Sequence, residues 1–250
     1  MNSIDFSFIM PSRGNWDLVK KTLDSFQRTT AYPKKIEWLI VFDKGTAVDL
    51  PELIKAEQYD FEVKCFYRPH SEWWTKDYFN FLADRTIGKN ICAFNDDAYM
   101  RTCGWDKSIK KKLKDLGWSV YLVDLPDSAR IKYGHPFPCF PMVSREGFIA
   151  TGYFFNEQVK VYPADKVLHG LYSNIERVIK IEDVYIQHNH VIESDSSKSR
   201  FMEIFIEQRD KGELKIDISL EVMILLRLIK KECSKKRNKF SRIINILKEK

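Results

Sequence analysis

The sequence predicts an α/β fold: a mostly parallel sheet flanked by helices, followed by a C-terminal helical tail. Three observations predict it. Apolar runs of strand length alternate with helical or connecting segments through residue 100. Three of those runs end in polar groups, at Ser12-Arg13, Asp43 and Asn95-Asp96-Asp97. In open α/β sheets, ligands gather outside the carboxyl ends of strands. The third observation is a charge asymmetry: the span Arg227–Lys250 holds ten Lys or Arg against two Glu, a local +8 in a chain of net +6.

The elements follow in order. Ile4, Phe6, Phe8 and Met10 alternate with other residues at the strand period, and Pro11, Ser12, Gly14 and Asn15 then break the run. Trp16, Val19, Leu23 and Phe26 fall at helical spacing behind Asn15, an N-cap. Residues 35–43 form a second strand, stopped by the turn Asp43-Lys44-Gly45-Thr46, and residues 61–68 form a third. Residues 77–88 place Phe79, Leu82, Ala83 and Thr86 on one helical face and end at Gly88. A fourth strand, from Asn90, runs through Ile91, Cys92, Ala93 and Phe94 into Asn95-Asp96-Asp97.

The second half is less regular. Residues 104–117 read as a surface helix with Ile109, Leu113 and Leu116 inward, and residues 119–125 as a strand. Three prolines in 134–144 argue against a regular helix or central strand there. Residues 164–175 look helical, and 177–190 read as one long strand or a pair, ending at His188 and His190. A polar stretch at Ser194–Ser199 divides a body (1–193, with halves 1–100 and 101–193) from a basic tail (194–250) of two helical segments.

Composition excludes several classes. With 44% hydrophobic and 14% aromatic residues, the chain has enough apolar surface for a sizeable core, which excludes global disorder. No apolar run approaches the roughly 20 residues of a membrane span, and no signal-peptide pattern opens the chain. Five scattered cysteines without a CxxC pair suit a reduced, cytoplasmic setting, and no zinc site is expected. The near-neutral body carries no nucleic-acid-binding motif, so no nucleic acid partner is expected. The basic, partly apolar tail suits an anionic membrane face or self-association through Leu220–Ile229.

Two adjacent aspartates at a strand end repel one another when ionised. They suit a hard divalent cation, Mg²⁺ or Mn²⁺; the alternative is a turn or N-cap with solvated carboxylates. His188 and His190 sit two apart, on one side of a strand, and imidazole also binds Mn²⁺. Arg13 suits a phosphate or an ordinary salt bridge, and Trp73-Trp74 a pocket wall or packing. His70, His135 and His169 have no such context and read as structural or exposed.

In this order the motifs resemble the nucleotide-sugar glycosyltransferases of the GT-A fold, the family 2 type in particular. "FIMPSRGN" looks like the Pro-containing turn after the first strand, and "LIVFDKGT" like the second strand with its base-binding aspartate. "NFLADRTIGKNICAFNDDAYM" follows the order of the helix and metal-motif strand. "GWDKSI" and "FPMVSREGFIATGYF" resemble segments beyond that motif, and "YPADKVLHGLYSNIERVIKIEDVYIQHNH" the segment of catalytic base and metal histidine. The likeness covers residues 4–192.

It implies a metal-dependent enzyme, with Mn²⁺ or Mg²⁺, that moves a sugar from a nucleoside-diphosphate donor to a glycan or lipid-linked acceptor, with inversion, in surface glycan or polysaccharide assembly. It implies donor contacts from Pro11, Ser12, Asp43, Asn95 and Asp96, metal ligands Asp97 and His188, and Asp165 as base with Asp183 as alternative; strand spacing adds His190 as a ligand and guanidinium chemistry adds Arg13 as a donor contact. The motif departs from the family in having Asn95 where many relatives have a third acid, and Ala164 before Asp165 where Glu is frequent. A non-catalytic nucleotide-sugar or glycan-binding module of the same fold and a metal-dependent phosphohydrolase are the competing readings.

Overall fold

A computed structural model describes residues 3–45, 49–189 and 216–248, with Glu203 and Glu207. His190 and the Ser194–Ser199 boundary lie outside the described residues. Strands β1 (Phe6–Ser12), β2 (Ile36–Asp43), β3 (Glu62–Arg68) and β4 (Asn90–Ala93) are mutually parallel and form one half of a seven-stranded sheet. β6 (Leu122–Asp124), β7 (Met142–Ser144) and β8 (Val178–Lys180) complete it, in the order β3–β2–β1–β4–β7–β6–β8. β7 alone runs against its neighbours β4 and β6.

Both faces of the sheet are covered, so every residue of β1 is buried. Phe6, Phe8 and Met10 face α1 (Trp16–Thr29) and α4 (Trp105–Leu116); Phe8 stacks on Trp38 and meets Phe26 edge-on, each at 4.7 Å between ring centres. Ile9, Leu39 and Val41 point the other way, into a cluster with Leu82 of α3 (Phe81–Ala83), Phe148 of α6 (Arg145–Thr151) and Leu168 and Leu171 of α7 (Ala164–Asn174). The Asn15 side chain caps α1 by accepting from the Leu18 N–H, and α4 turns Ile109 fully inward with Leu113 and Leu116 at the margin. Short helices α2 (Leu50–Ala56) and α5 (Ser128–Tyr133) complete the connections.

Three expectations are corrected. The helix expected over 77–88 begins as a π-helical turn at Thr75 and ends at Ala83. The buried Glu37 carboxylate takes the N–H groups of Ile87 and Gly88 and draws the chain out of helical register. Gly88 is needed there, because a Cβ would lie 2.5 Å from Ser7 Oγ and 2.8 Å from the Ser7 nitrogen. The proline-rich segment does contain a central strand: β7 starts at Met142, one residue past Pro141, so its N–H groups remain available. Finally, 177–190 holds a pair of strands rather than one long strand, but the two do not pair with each other. β8 joins the main sheet, whereas β9 (Ile186–His188) forms a separate two-stranded sheet with β5 (Ala98–Met100).

The C-terminal helix α8 (Ser219–Lys248) is described as one element. Leu225 is fully buried in the cluster beside α6 and α7, with Val222, Leu228 and Ile229 packed around it. Tyr153 donates to Glu221, and Ser119 to Glu232, across the same contact.

Candidate active site

The site is built where β4 ends. Phe94 closes the strand under the core, and Asn95, Asp96 and Asp97 follow as half-buried residues. Thr22 of α1 fixes the turn from beneath: its hydroxyl lies 2.8 Å from the Asp96 carbonyl and 3.0 Å from that of Ala98. Ser12, at the end of β1, donates to Asp96 Oδ2 at 2.6 Å. Burial raises the Asp96 carboxyl to about 6; the Ser12 hydrogen bond opposes the rise and the Asp97 charge adds to it.

β5 then pairs with β9 in the register Ala98↔His188. That pairing brings Asp97 and His188 together, with His188 Nε2 3.4 Å from Asp97 Oδ1. The histidine is held on several sides. Ser128 Oγ bonds both its N–H (2.8 Å) and its carbonyl (3.0 Å), and Phe140 meets the imidazole at 4.9 Å. Asp97 Oδ1 is buried with no hydrogen bond among the described residues. An unsatisfied buried carboxylate oxygen is costly, and a cation beside it removes the cost. The donor set, carboxylate oxygen and imidazole nitrogen, fits Mn²⁺ or Mg²⁺.

Asp165 lies in the first turn of α7 and accepts from the Lys166 N–H at 2.8 Å. Burial raises its carboxyl to about 6, against the backbone donors, and the charges of His135 and Asp127 also reach it. Asp183 stands elsewhere: it is exposed on the turn between β8 and β9 and accepts from Ser108 of α4. It borders a surface groove with Lys111, Lys112 and Lys180 that neither Asp97, Asp165 nor His188 lines.

At the end of β2, Asp43 accepts from the Tyr78 hydroxyl on one oxygen and meets His70 Nδ1 at 2.8 Å on the other. His70 therefore has a partner that its isolated place in the sequence did not disclose. Pro11 is buried at the end of β1, and Arg13 is exposed just beyond it, 5.9 Å from the Trp74 ring and close enough to influence Asp96. Trp73 donates its indole N–H to the Glu157 carbonyl, with Lys76 and Lys160 over its ring.

Sequence reasoning missed two neighbours of His188. Asp127 is fully buried, N-caps α5 through the Arg130 N–H (2.9 Å) and places Oδ1 3.9 Å from His188 Nδ1. Cys139, from the proline-rich segment, comes within 4.8 Å of both. The one available signal was the polar ending of β6, "LVDLPD", which repeats the pattern that marked the other strand ends.

This arrangement is the GT-A fold of nucleotide-sugar glycosyltransferases. The solved structures it resembles include S. aureus TarS 1–349 in complex with UDP (TM-score 0.59, 14% identity, covering 92% of this chain and 72% of that one). The same TarS fragment with UDP-GlcNAc gives a TM-score of 0.60 at 14% identity, covering 90% and 72%. Another is the mannosyltransferase PcManGT from Pyrobaculum calidifontis in complex with GDP-Man and Mn²⁺ (TM-score 0.62, 14% identity, 90% and 69%). Against a longer TarS structure the chain spans 43% of the length. No family model matches the chain, and no curated protein matches it.

Proposed function

We propose that the protein is a metal-dependent glycosyltransferase that moves a sugar from a nucleoside-diphosphate donor to an acceptor hydroxyl with inversion. The observation that carries this reading is the Asp97–His188 pair: two ligand types 3.4 Å apart, with a buried carboxylate oxygen that has no hydrogen bond among the described residues. Support also comes from the solved neighbours of this fold, which hold UDP, UDP-GlcNAc or GDP-Man, one with Mn²⁺.

Asp97 and His188 would hold the ion, with His190 a further candidate. When bound, Mn²⁺ or Mg²⁺ supplies positive charge against the diphosphate as it leaves. Asp43 offers carboxylate acceptors to a base that presents N–H donors. Ser12 holds Asp96 in place, Asn95 offers an uncharged amide to the ribose, and Arg13 offers a guanidinium to phosphate. Asp165 takes the proton of the acceptor hydroxyl while that oxygen bonds to the anomeric carbon. The bond from that carbon to the diphosphate oxygen breaks, and its electron pair leaves with the nucleotide.

The acceptor we infer is a glycan or a lipid-linked glycan in surface polysaccharide assembly, met at the inner face of a membrane. The basic sequence beyond Arg227 supports that setting, and no described helix is long and apolar enough to cross a membrane. A thermal-shift panel tests the donor class: with Mn²⁺ present, UDP or GDP should raise the melting temperature by mass action, and without divalent ion the rise should shrink. A panel in which no nucleoside diphosphate shifts the protein would contradict the reading.

A further inference from the structure

We propose that Asp127, Cys139 and His188 form a second cation site, suited to a thiophilic divalent ion of the zinc type. The three residues come from the start of α5, the proline-rich segment before β7 and the end of β9, and their ligand atoms all lie within 4.8 Å of one another. Asp127 and His188 are buried, whereas Cys139 is partly exposed and gives an ion a way in.

An independent observation points to a ligand. One Asp127 oxygen caps α5 and the Cys139 thiol hydrogen-bonds the same carboxylate, but Oδ2 is buried with no nitrogen or oxygen donor among the described residues. A cation beside it would offset that cost. The identity of the ion follows from the donors. Thiolate, imidazole and carboxylate together suit Zn²⁺, whereas Mg²⁺ and Mn²⁺ prefer oxygen. Bonds of about 2.0–2.3 Å require the three groups to draw inward, and three protein ligands leave a fourth position open.

The site has a consequence for its neighbour. His188 stands between two carboxylates, with Nε2 toward Asp97 and Nδ1 toward Asp127. A neutral imidazole has one nitrogen lone pair. An ion bound at Nδ1 leaves Nε2 as an N–H that donates to Asp97 and is no longer a ligand there. The zinc-type ion and the ion at Asp97 therefore compete for His188. This competition rests on the proposed Asp97–His188 site; the binding of the zinc-type ion does not.

Co²⁺, a spectroscopic stand-in for Zn²⁺, tests the proposal on the full chain under reducing conditions. The titration should give a near-ultraviolet thiolate-to-cobalt absorption that Zn²⁺ displaces. Cys139→Ser should remove it and Asp127→Asn should weaken binding, each with an unchanged circular dichroism spectrum. A chain with both exposed cysteines replaced (Cys103→Ser, Cys233→Ser) should keep the absorption. Wild-type protein without the band at saturating Co²⁺ would overturn the proposal whether or not the variants fold. A band that survives Cys139→Ser, or that disappears with Cys103 and Cys233, would overturn it equally. In the same titration, Mn²⁺ should raise the Co²⁺ concentration needed; no effect of Mn²⁺ would remove the competition while leaving the thiolate site standing.

Discussion

At the scale of single residues, Asp165 is the most informative. Its carboxyl titrates at about 6 in the fold against an ordinary value of 3.8, because burial penalises the charge. The folded protein therefore holds this proton more tightly than the unfolded chain. The resulting contribution to stability is fully present below the unfolded value and is lost as pH rises through about 6. At neutral pH the ionised group is a cost, which a catalytic base is expected to carry. Asp165→Asn should thus raise the melting temperature at pH 7.5 while lowering turnover by about 10²–10⁴-fold. In the wild type, kcat/KM should fall as pH drops below about 6, the value for the free carboxyl. Asp183→Asn, exposed and bonded only to Ser108 among the contacts described, should change stability by about 0.5 kcal/mol or less and leave turnover near wild type. Steady-state kinetics with thermal melts on both variants checks the pair; the reverse outcome would exchange their roles.

At the scale of elements, the site depends on β5 and β9, because only their register places Asp97 against His188. Thr22 holds that turn without touching either side chain. Thr22→Val keeps the shape but removes the single hydroxyl proton that the two carbonyls share, at about 1–3 kcal/mol for an unsatisfied buried group. We expect Mn²⁺ affinity, read by paramagnetic relaxation of water, to weaken in this variant although no proposed ligand has changed; wild-type affinity would show that the turn holds itself. This scale also marks how far the sequence could be read. β1, α1, β2 and β4 were legible because their apolar periods run for several residues between clear breaks. β5 and β9 are three residues each, too short for a period to show, and β7 was hidden by prolines that stop one residue before it. Asp97 was nominated from its strand end and His188 from the family resemblance, each within one segment. Asp127 and Cys139 were not, because no spacing links residues that meet only through the fold.

At the scale of the molecule, the C-terminal helix is both part of the core and a candidate for outside contact. The polar stretch at Ser194–Ser199 sets the tail apart from the body in the sequence. Yet Leu225 is fully buried against the body, so Leu225→Ala should cost about 2–5 kcal/mol. Deletion from Ser219 should lower the melting temperature markedly, and a truncated body that melts like the full chain would contradict this packing. Leu220, Met223 and Leu226 are exposed along the same helix, and the basic run begins at Arg227. Each Lys or Arg near an anionic leaflet contributes about 1 kcal/mol, screened by salt. Co-sedimentation should therefore show binding to anionic but not neutral vesicles, weaker at high salt; equal binding to both would remove the membrane role.

The central claim is that Asp97 and His188 hold the ion against which a nucleoside diphosphate leaves. The most direct measurement is Mn²⁺-dependent release of nucleoside diphosphate from a panel of UDP- and GDP-sugars, by wild-type protein and by Asp97→Ala. We expect release by the wild type with at least one donor, its loss in EDTA and its loss in Asp97→Ala, with the variant's circular dichroism spectrum unchanged. Release that persists in EDTA or in Asp97→Ala would contradict the account.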